Sequence, residues 1–169
     1  MLTFRFYCII KVSFTSRLIY MPWISAEVPP TIPPACIVRA AEHYKIPAIV
    51  LVSILKVEGG KVGEVYPRKT GTYYGPYQVS GLWLNELQKW GFTAQSLQHD
   101  ACANVTAAAY VLAYYKAREP EWVNALARYN VGSLNTPERV AAGNRYVTKV
   151  LFHWGAINKR WSPSQPTNS

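Results

Sequence analysis

At 169 residues the chain is sized for one domain with a true hydrophobic core. Half of it is hydrophobic and 14% is aromatic, with 12 Tyr and 6 Trp. That is more rings than a small core needs, so some are expected to line a groove suited to sugars or other flat partners. The net charge of +9 is scattered, with Arg68-Lys69 and Lys159-Arg160 as the adjacent basic pairs. Scatter of this kind favours an anionic polymer or a membrane surface as partner. It argues against nucleic acid, for which the sequence has no zinc-ligand spacing, no aromatic RNA-binding signature and no basic heptad region.

Residues 1–26 read as a signal or targeting segment. Arg5, Lys11 and Arg17 supply charge without an acid, a short apolar stretch runs from Leu18 to Ile24, and Ile24-Ser25-Ala26 resembles a small-residue cleavage site. An uncleaved anchor and a mis-assigned start are the alternatives; a signal role implies a periplasmic or secreted protein. Nothing later is long enough to span a membrane. Residues 27–34, with Pro29-Pro30 and Pro33-Pro34, read as an extended Pro-rich lead-in. Residues 35–155 form the expected domain and 156–169 a flexible C-terminal tail.

Within the domain, helical periodicity starts at Ala35 and breaks at Pro47. Ile46 to Val57 carries Lys56 as its one charge, so it reads as a helix buried nearly all round, ending at Glu58. The 61–77 stretch is rich in Gly and Pro and reads as an irregular loop, with a short hairpin as the alternative, of a length that is usually functional. Ser80 to Trp90 is expected as a helix ending at Gly91. Thr93 should cap a short turn, and Asp100 an Ala-rich helix to about Arg118. A helix over 121–129 should stop at Asn130-Val131-Gly132. The last helix should start at Thr136-Pro137 and end at His153 or Trp154, before Gly155. The class is mostly α, with little or no β.

Glu58 is the residue with the clearest chemical setting. A carboxyl at the mouth of an apolar helix is partly desolvated, which raises its pKa, and the helix C-terminal carbonyls push the same way. Gly59 and Gly60 end the helix and leave room beside it. A general acid needs a proton held near neutral pH and space for a substrate oxygen. The competing assignment is a Glu that closes a core helix and pairs with a Lys or Arg. Cys36 and Cys102 are either one disulfide or two buried thiols. His43, His99 and His153 show no ligand spacing with either Cys, so no metal and no cofactor are expected.

Seventeen residues after Glu58 comes Gly75-Pro76-Tyr77-Gln78-Val79-Ser80, ahead of a helix. Fifty-two residues after Gln78 falls Asn130, within Ala127-Arg128-Tyr129-Asn130-Val131-Gly132, and Tyr146 follows on the last helix. In this order the pieces resemble the catalytic domain of lysozyme-like (SLT-type) lytic transglycosylases, in particular the VirB1-like branch. The resemblance spans about Cys36 to Trp154: Ile54 to Gly60 as the Glu helix, Gly75 to Ser80 as Gly-x-x-Gln, Asp100 to Leu112 as an Asn-bearing helix, and 127–132 as Ala-x-Tyr-Asn-x-Gly. It implies a helical domain with a groove, a peptidoglycan glycan strand as substrate, and a role in opening the wall for a secretion, conjugation or pilus apparatus. Glu58 would be the catalytic acid and base. Gly75, Tyr77, Gln78, Tyr129, Asn130 and Tyr146 would bind substrate or orient Glu58, and Tyr73, Tyr74 and Tyr77 would offer stacking faces for sugar rings.

The chain departs from the wider pattern at Gly59, where Ser is usual, at Tyr77 for Met and Ser80 for Asn, and at Tyr73-Tyr74, where an acid is often found. These changes bear on substrate fit and rate. The alternatives are a muramidase, that is, a hydrolase on the same fold, and a non-catalytic glycan-binding assembly factor.

Overall fold

The computed structural model describes residues 22–161. They form eight α-helices, short 3-10 turns and one small sheet: α1 (Pro22–Glu27), α2 (Pro34–Tyr44), α3 (Ala48–Glu58), β1 (Val65–Arg68), β2 (Gly71–Tyr74), β3 (Val79–Ser80), α4 (Leu84–Leu87), α5 (Ala94–His99), α6 (Ala101–Lys116), α7 (Trp122–Val131) and α8 (Pro137–Trp161). The mostly helical class holds.

Helix α3 is buried on every side, as its composition requires. Leu51, Val52, Ser53, Ile54 and Leu55 are all inside, and the Ser53 hydroxyl donates to the Ile49 carbonyl at 2.7 Å, so no polar atom there is orphaned. Helix α8 lies against α3 and α7, and α6 runs against α2 and α7. Asp100 caps α6 by accepting from the Cys102 and Ala103 amides, and Thr93 caps α5 in a capping box with Ser96. Cys36 and Cys102 are bonded, with Cα atoms 5.1 Å apart, fastening α2 to the start of α6. A cross-link closing a loop of 66 residues stabilises by about 4 kcal/mol in the chain-entropy picture.

The 61–77 stretch holds the short hairpin its sequence allowed, β1-β2 with Arg68 opposite Gly71, and β3, just beyond it, adds a third antiparallel strand with Tyr73 opposite Ser80. Three expectations are corrected, and one strand went unread. Strands this short, interrupted by Pro67 and bounded by Gly71 and Gly75, leave too little alternation to read. The single helix over 80–90 is broken into a 3-10 turn, α4 and a second 3-10 turn. At the front, residues 22–26 and the 27–34 lead-in belong to the folded unit: Ile24, Val28 and Ile32 are core residues. Pro33 is the N-cap of α2 and Pro34 its first residue, while Pro29-Pro30 lies in a turn that the Ile32 amide closes on the Pro29 carbonyl at 2.9 Å. Residues 1–21 lie outside the described residues. At the back, α8 passes through Gly155 to Trp161, because buried Ile157 and the contacts of Arg160 and Trp161 outweigh the cost of about 1 kcal/mol for a mid-helix glycine. Of the expected tail, only 162–169 lies outside the described residues.

Much of the aromatic load packs on itself. Trp83 meets Tyr114 and Tyr115 edge-on at 4.8 and 5.6 Å, and Arg118 lies 3.5 Å over Tyr114.

Candidate active site

Glu58 is the last residue of α3. Gly59 follows in the left-handed conformation (φ 60°) and returns its amide to the Leu55 carbonyl at 3.0 Å. The Gly60 amide then donates to the Pro76 carbonyl at 3.2 Å. A side chain at Gly60 would collide with the carbonyl oxygens of Gly75 and Pro76. The Gly-Gly step is therefore the joint that lets the Gly75–Ser80 segment lie directly against the end of α3.

That segment is held from behind by Asn104, an amide fully buried in α6. Its Oδ1 accepts from the Tyr77 amide at 2.9 Å, and its Nδ2 donates to the Tyr74 and Leu97 carbonyls at 2.8 Å each. Gly75 has φ 63°, and an added Cβ would sit 2.5 Å from both the Leu97 carbonyl and the Asn104 amide nitrogen. Its role is close backbone approach; being buried, it is no substrate contact. Sequence reasoning left out Asn104 as a residue in its own right, although one amide within a helix of Ala and Val is a signal of a buried polar partner.

Tyr77 is corrected outright. It is fully buried and donates its hydroxyl to the Leu51 carbonyl at 3.0 Å, so its ring has no open face to offer a sugar. Large size and an amphipathic ring suit a groove or a core equally, and only the packing separates the two.

Gln78 faces the site. It adopts φ 47°, an uncommon conformation for a residue with a side chain, and its Nε2 donates to the main-chain carbonyl of Glu58 at 2.9 Å. Its Oε1 accepts from Nη2 of Arg68 at 2.9 Å. The amide thus bridges β1 to the end of α3, a brace on the Glu58 backbone. Tyr146, buried on α8, donates its hydroxyl to Oε1 of Glu58 at 2.7 Å. Tyr129 on α7 lies roughly parallel to Tyr146, ring centres 6.4 Å apart, and donates to the Tyr77 carbonyl at 3.1 Å. Asn130 is exposed one residue before the end of α7. Tyr73 and Tyr74 are half-buried on β2, with Arg68 lying 5.8 Å from the centre of the Tyr73 ring.

Burial drives the Glu58 carboxyl up to about 7, against the opposing pull of the Tyr146 hydroxyl and of the charges on Arg68 and Lys149. Burial, aided by the neighbouring Glu58, also holds the Tyr146 and Tyr129 phenols well above their ordinary range. Both keep their protons, so Tyr146 is the donor in its contact. Glu64 is otherwise engaged: the Tyr66 hydroxyl donates to it at 2.6 Å and Lys61 lies 3.5 Å away. Beside the site, α3 and α8 enclose a depression of about 350 Å³ lined by Lys56, Val57, Thr148, Lys149, Phe152 and His153. Among the described residues, no group of three or more His, Cys, Asp or Glu could hold a metal ion, and no helix is long and apolar enough to cross a membrane.

No protein-family model matches the chain, and no curated protein matches it. What the site can do therefore rests on its own chemistry: one half-buried carboxyl, poised to give and take a proton at neutral pH, on a braced backbone with a phenol at its side.

Proposed function

We propose that the protein is a lytic transglycosylase with a lysozyme-like fold, cleaving the β-1,4 bond between N-acetylmuramic acid and N-acetylglucosamine in peptidoglycan. The observation that carries this reading is the Glu58 carboxyl, raised to about 7 by burial, with Tyr146 on one oxygen and two cations as the charges acting on it. Most glycosidases work with two carboxyl groups flanking the bond. A site with one must use that one twice.

In the first step protonated Glu58 gives its proton to the glycosidic oxygen as the bond from that oxygen to C1 breaks. The substrate's own 2-acetamido oxygen stabilises the electron-poor C1. In the second, the Glu58 carboxylate takes the proton of the C6 hydroxyl as O6 bonds to C1. The product is a 1,6-anhydro sugar, Glu58 ends protonated, and no water is consumed. A group that is acid and then base works best with a pKa near the working pH, which Glu58 has. Tyr146 fixes the carboxyl's orientation and Gln78 the backbone beneath it. Tyr129 and Asn130 would floor the groove for the glycan.

The biological setting that goes with this reading is local opening of the cell wall, in the periplasm, for a secretion, conjugation or pilus apparatus. The test is mass spectrometry of muropeptides released from purified cell wall. Anhydro ends are expected; reducing ends would assign a muramidase, and no release a glycan-binding assembly factor. Glu58→Gln is expected to lower release at least 100-fold, about the lower end of what a positioned acid contributes, with the helical circular dichroism unchanged. Release by the variant equal to the parent's would remove Glu58 from the chemistry.

A further inference from the structure

Two cations stand at the Glu58 site, and the bond-breaking steps use neither. Arg68 ends β1 at the hairpin turn. Its guanidinium is exposed, yet held in place by its bond to Gln78 Oε1 at 2.9 Å and by its position over the Tyr73 ring. Such a planar fork, fixed in advance, matches a carboxylate. Lys149 lies on α8 three residues past Tyr146, hence one turn along the same helix face, and lines the depression beside Val57. Lys56, in the same depression, is already committed to the Glu27 carboxylate at 2.9 Å. In the state ready to act, Glu58 carries a proton and no charge, so the mouth presents Arg68 and Lys149 with no anion from Glu58 to offset them.

We propose, building on the wall-cleaving reading of this site, that Arg68 and Lys149 form a recognition site for a carboxylate on the substrate strand, so that an anionic glycan is chosen over a neutral one. The sugar rings and amides of a glycan are uncharged; the carboxylates of its lactyl and peptide branches are the groups these cations can read. Recognition is also linked to the proton. The groups facing Glu58 are Arg68 from β1, Lys149 and Tyr146 from α8 and Tyr129 from α7. An anion seated on the two cations offsets the charges that favour ionised Glu58, so the bound strand tightens the acid's hold on its proton. By reciprocity, anionic strands bind less well as pH rises through 7.

The experiment is sedimentation binding of a Glu58→Gln protein, in which cleavage is expected to be at least about 100-fold slower, to purified cell wall. Intact wall is compared with the same wall after its carboxylates have been converted to methylamides. Intact wall is expected to bind more tightly, with the site contributing roughly fivefold to the ratio, as two exposed ion contacts would. Adding Arg68→Gln with Lys149→Gln should remove that contribution. Lys149→Gln alone, which leaves the Gln78 brace intact, should remove about half of it on a logarithmic scale. Lys89→Gln with Lys159→Gln, an equal loss of charge elsewhere, should leave the ratio near its starting value. Equal binding of both walls overturns the proposal, as does an equal fall in the ratio for both charge-removing pairs. Because binding is read without cleavage, a parent protein that releases no muropeptide but shows this selectivity refutes the enzymatic reading and leaves the recognition site standing.

Discussion

Glu27 and Glu58 both lose most of their contact with water, yet one keeps its charge and the other keeps its proton. Glu27, 5% exposed, receives the Lys56 ammonium at 2.9 Å, the Trp161 indole N–H at 2.9 Å and the Arg160 guanidinium. Burial raises its pKa, but those donors and charges outweigh the effect and hold the carboxyl below its usual value. Glu58 has one neutral donor in contact, and its cations act through the field alone, so burial wins. The two carboxyls are linked by Lys56, which stands two residues before Glu58 on α3 and points to Glu27. Taking a carboxylate out of water does not by itself leave it protonated. Withholding the ion pair does.

Replacing each carboxyl by an amide should separate the two cases. The raised pKa of Glu58 means the folded state binds a proton more tightly than the unfolded one, so its contribution to stability is greatest at low pH and is lost between about 4.5 and 7. Glu58→Gln removes that slope. In urea unfolding, the variant should gain about 3 kcal/mol on the parent between pH 4 and pH 8, the worth of a shift of this size. A parallel pair of pH–stability curves would contradict it. Glu27→Gln should behave oppositely. It should cost about 2 kcal/mol at pH 7, reduced from the figure for a fully buried pair because Lys56 and Arg160 are partly exposed. As pH falls below the usual carboxylate range and Glu27 itself takes a proton in the parent, the difference should shrink. Tyr146→Phe offers the finest adjustment. Losing the hydroxyl that favours ionised Glu58 should raise the Glu58 pKa by about one unit, carrying the alkaline limb of wall cleavage upward with it. An unmoved limb would mean that this phenol does not act on the reacting proton.

The acid half of this comparison was legible in the sequence, and the ion-paired half was not. An apolar helix closed by Glu58-Gly59-Gly60 marks a carboxyl at the edge of a buried segment, a setting that consecutive residues are enough to show. Tyr146 and Gln78 entered through the resemblance, and the geometry puts both on Glu58, one at the carboxyl and one at the backbone. Glu27 looked like the start of a lead-in, since its partner Arg160 is 133 residues away and lies in what reads as a tail. Pairing over that distance leaves no local periodicity to follow. The same holds for Tyr77 and Asn104, 27 residues apart, whose contact ties the Gly75–Ser80 segment to α6, and for the Tyr77 ring, buried with its hydroxyl on the Leu51 carbonyl 26 residues away. Arg68 was one half of a basic pair in a stretch read as loop; as the end residue of a strand it becomes a positioned cation. What escaped the sequence is therefore long-range polar contact, together with α1 and the true end of α8 that such contacts hold, while the buried run of α3 and the caps of α5 and α6 were readable.

The most direct test is to follow the glutamate side-chain carboxyl carbons by NMR across a pH titration, assigning Glu58 and Glu27 with the Gln variants. Glu58 should titrate with a midpoint of about 7 and Glu27 below 4.5 in the same sample. A Glu58 midpoint at or below 4.5 would mean that its proton is gone at neutral pH, and the acid at the centre of the proposed chemistry would not exist.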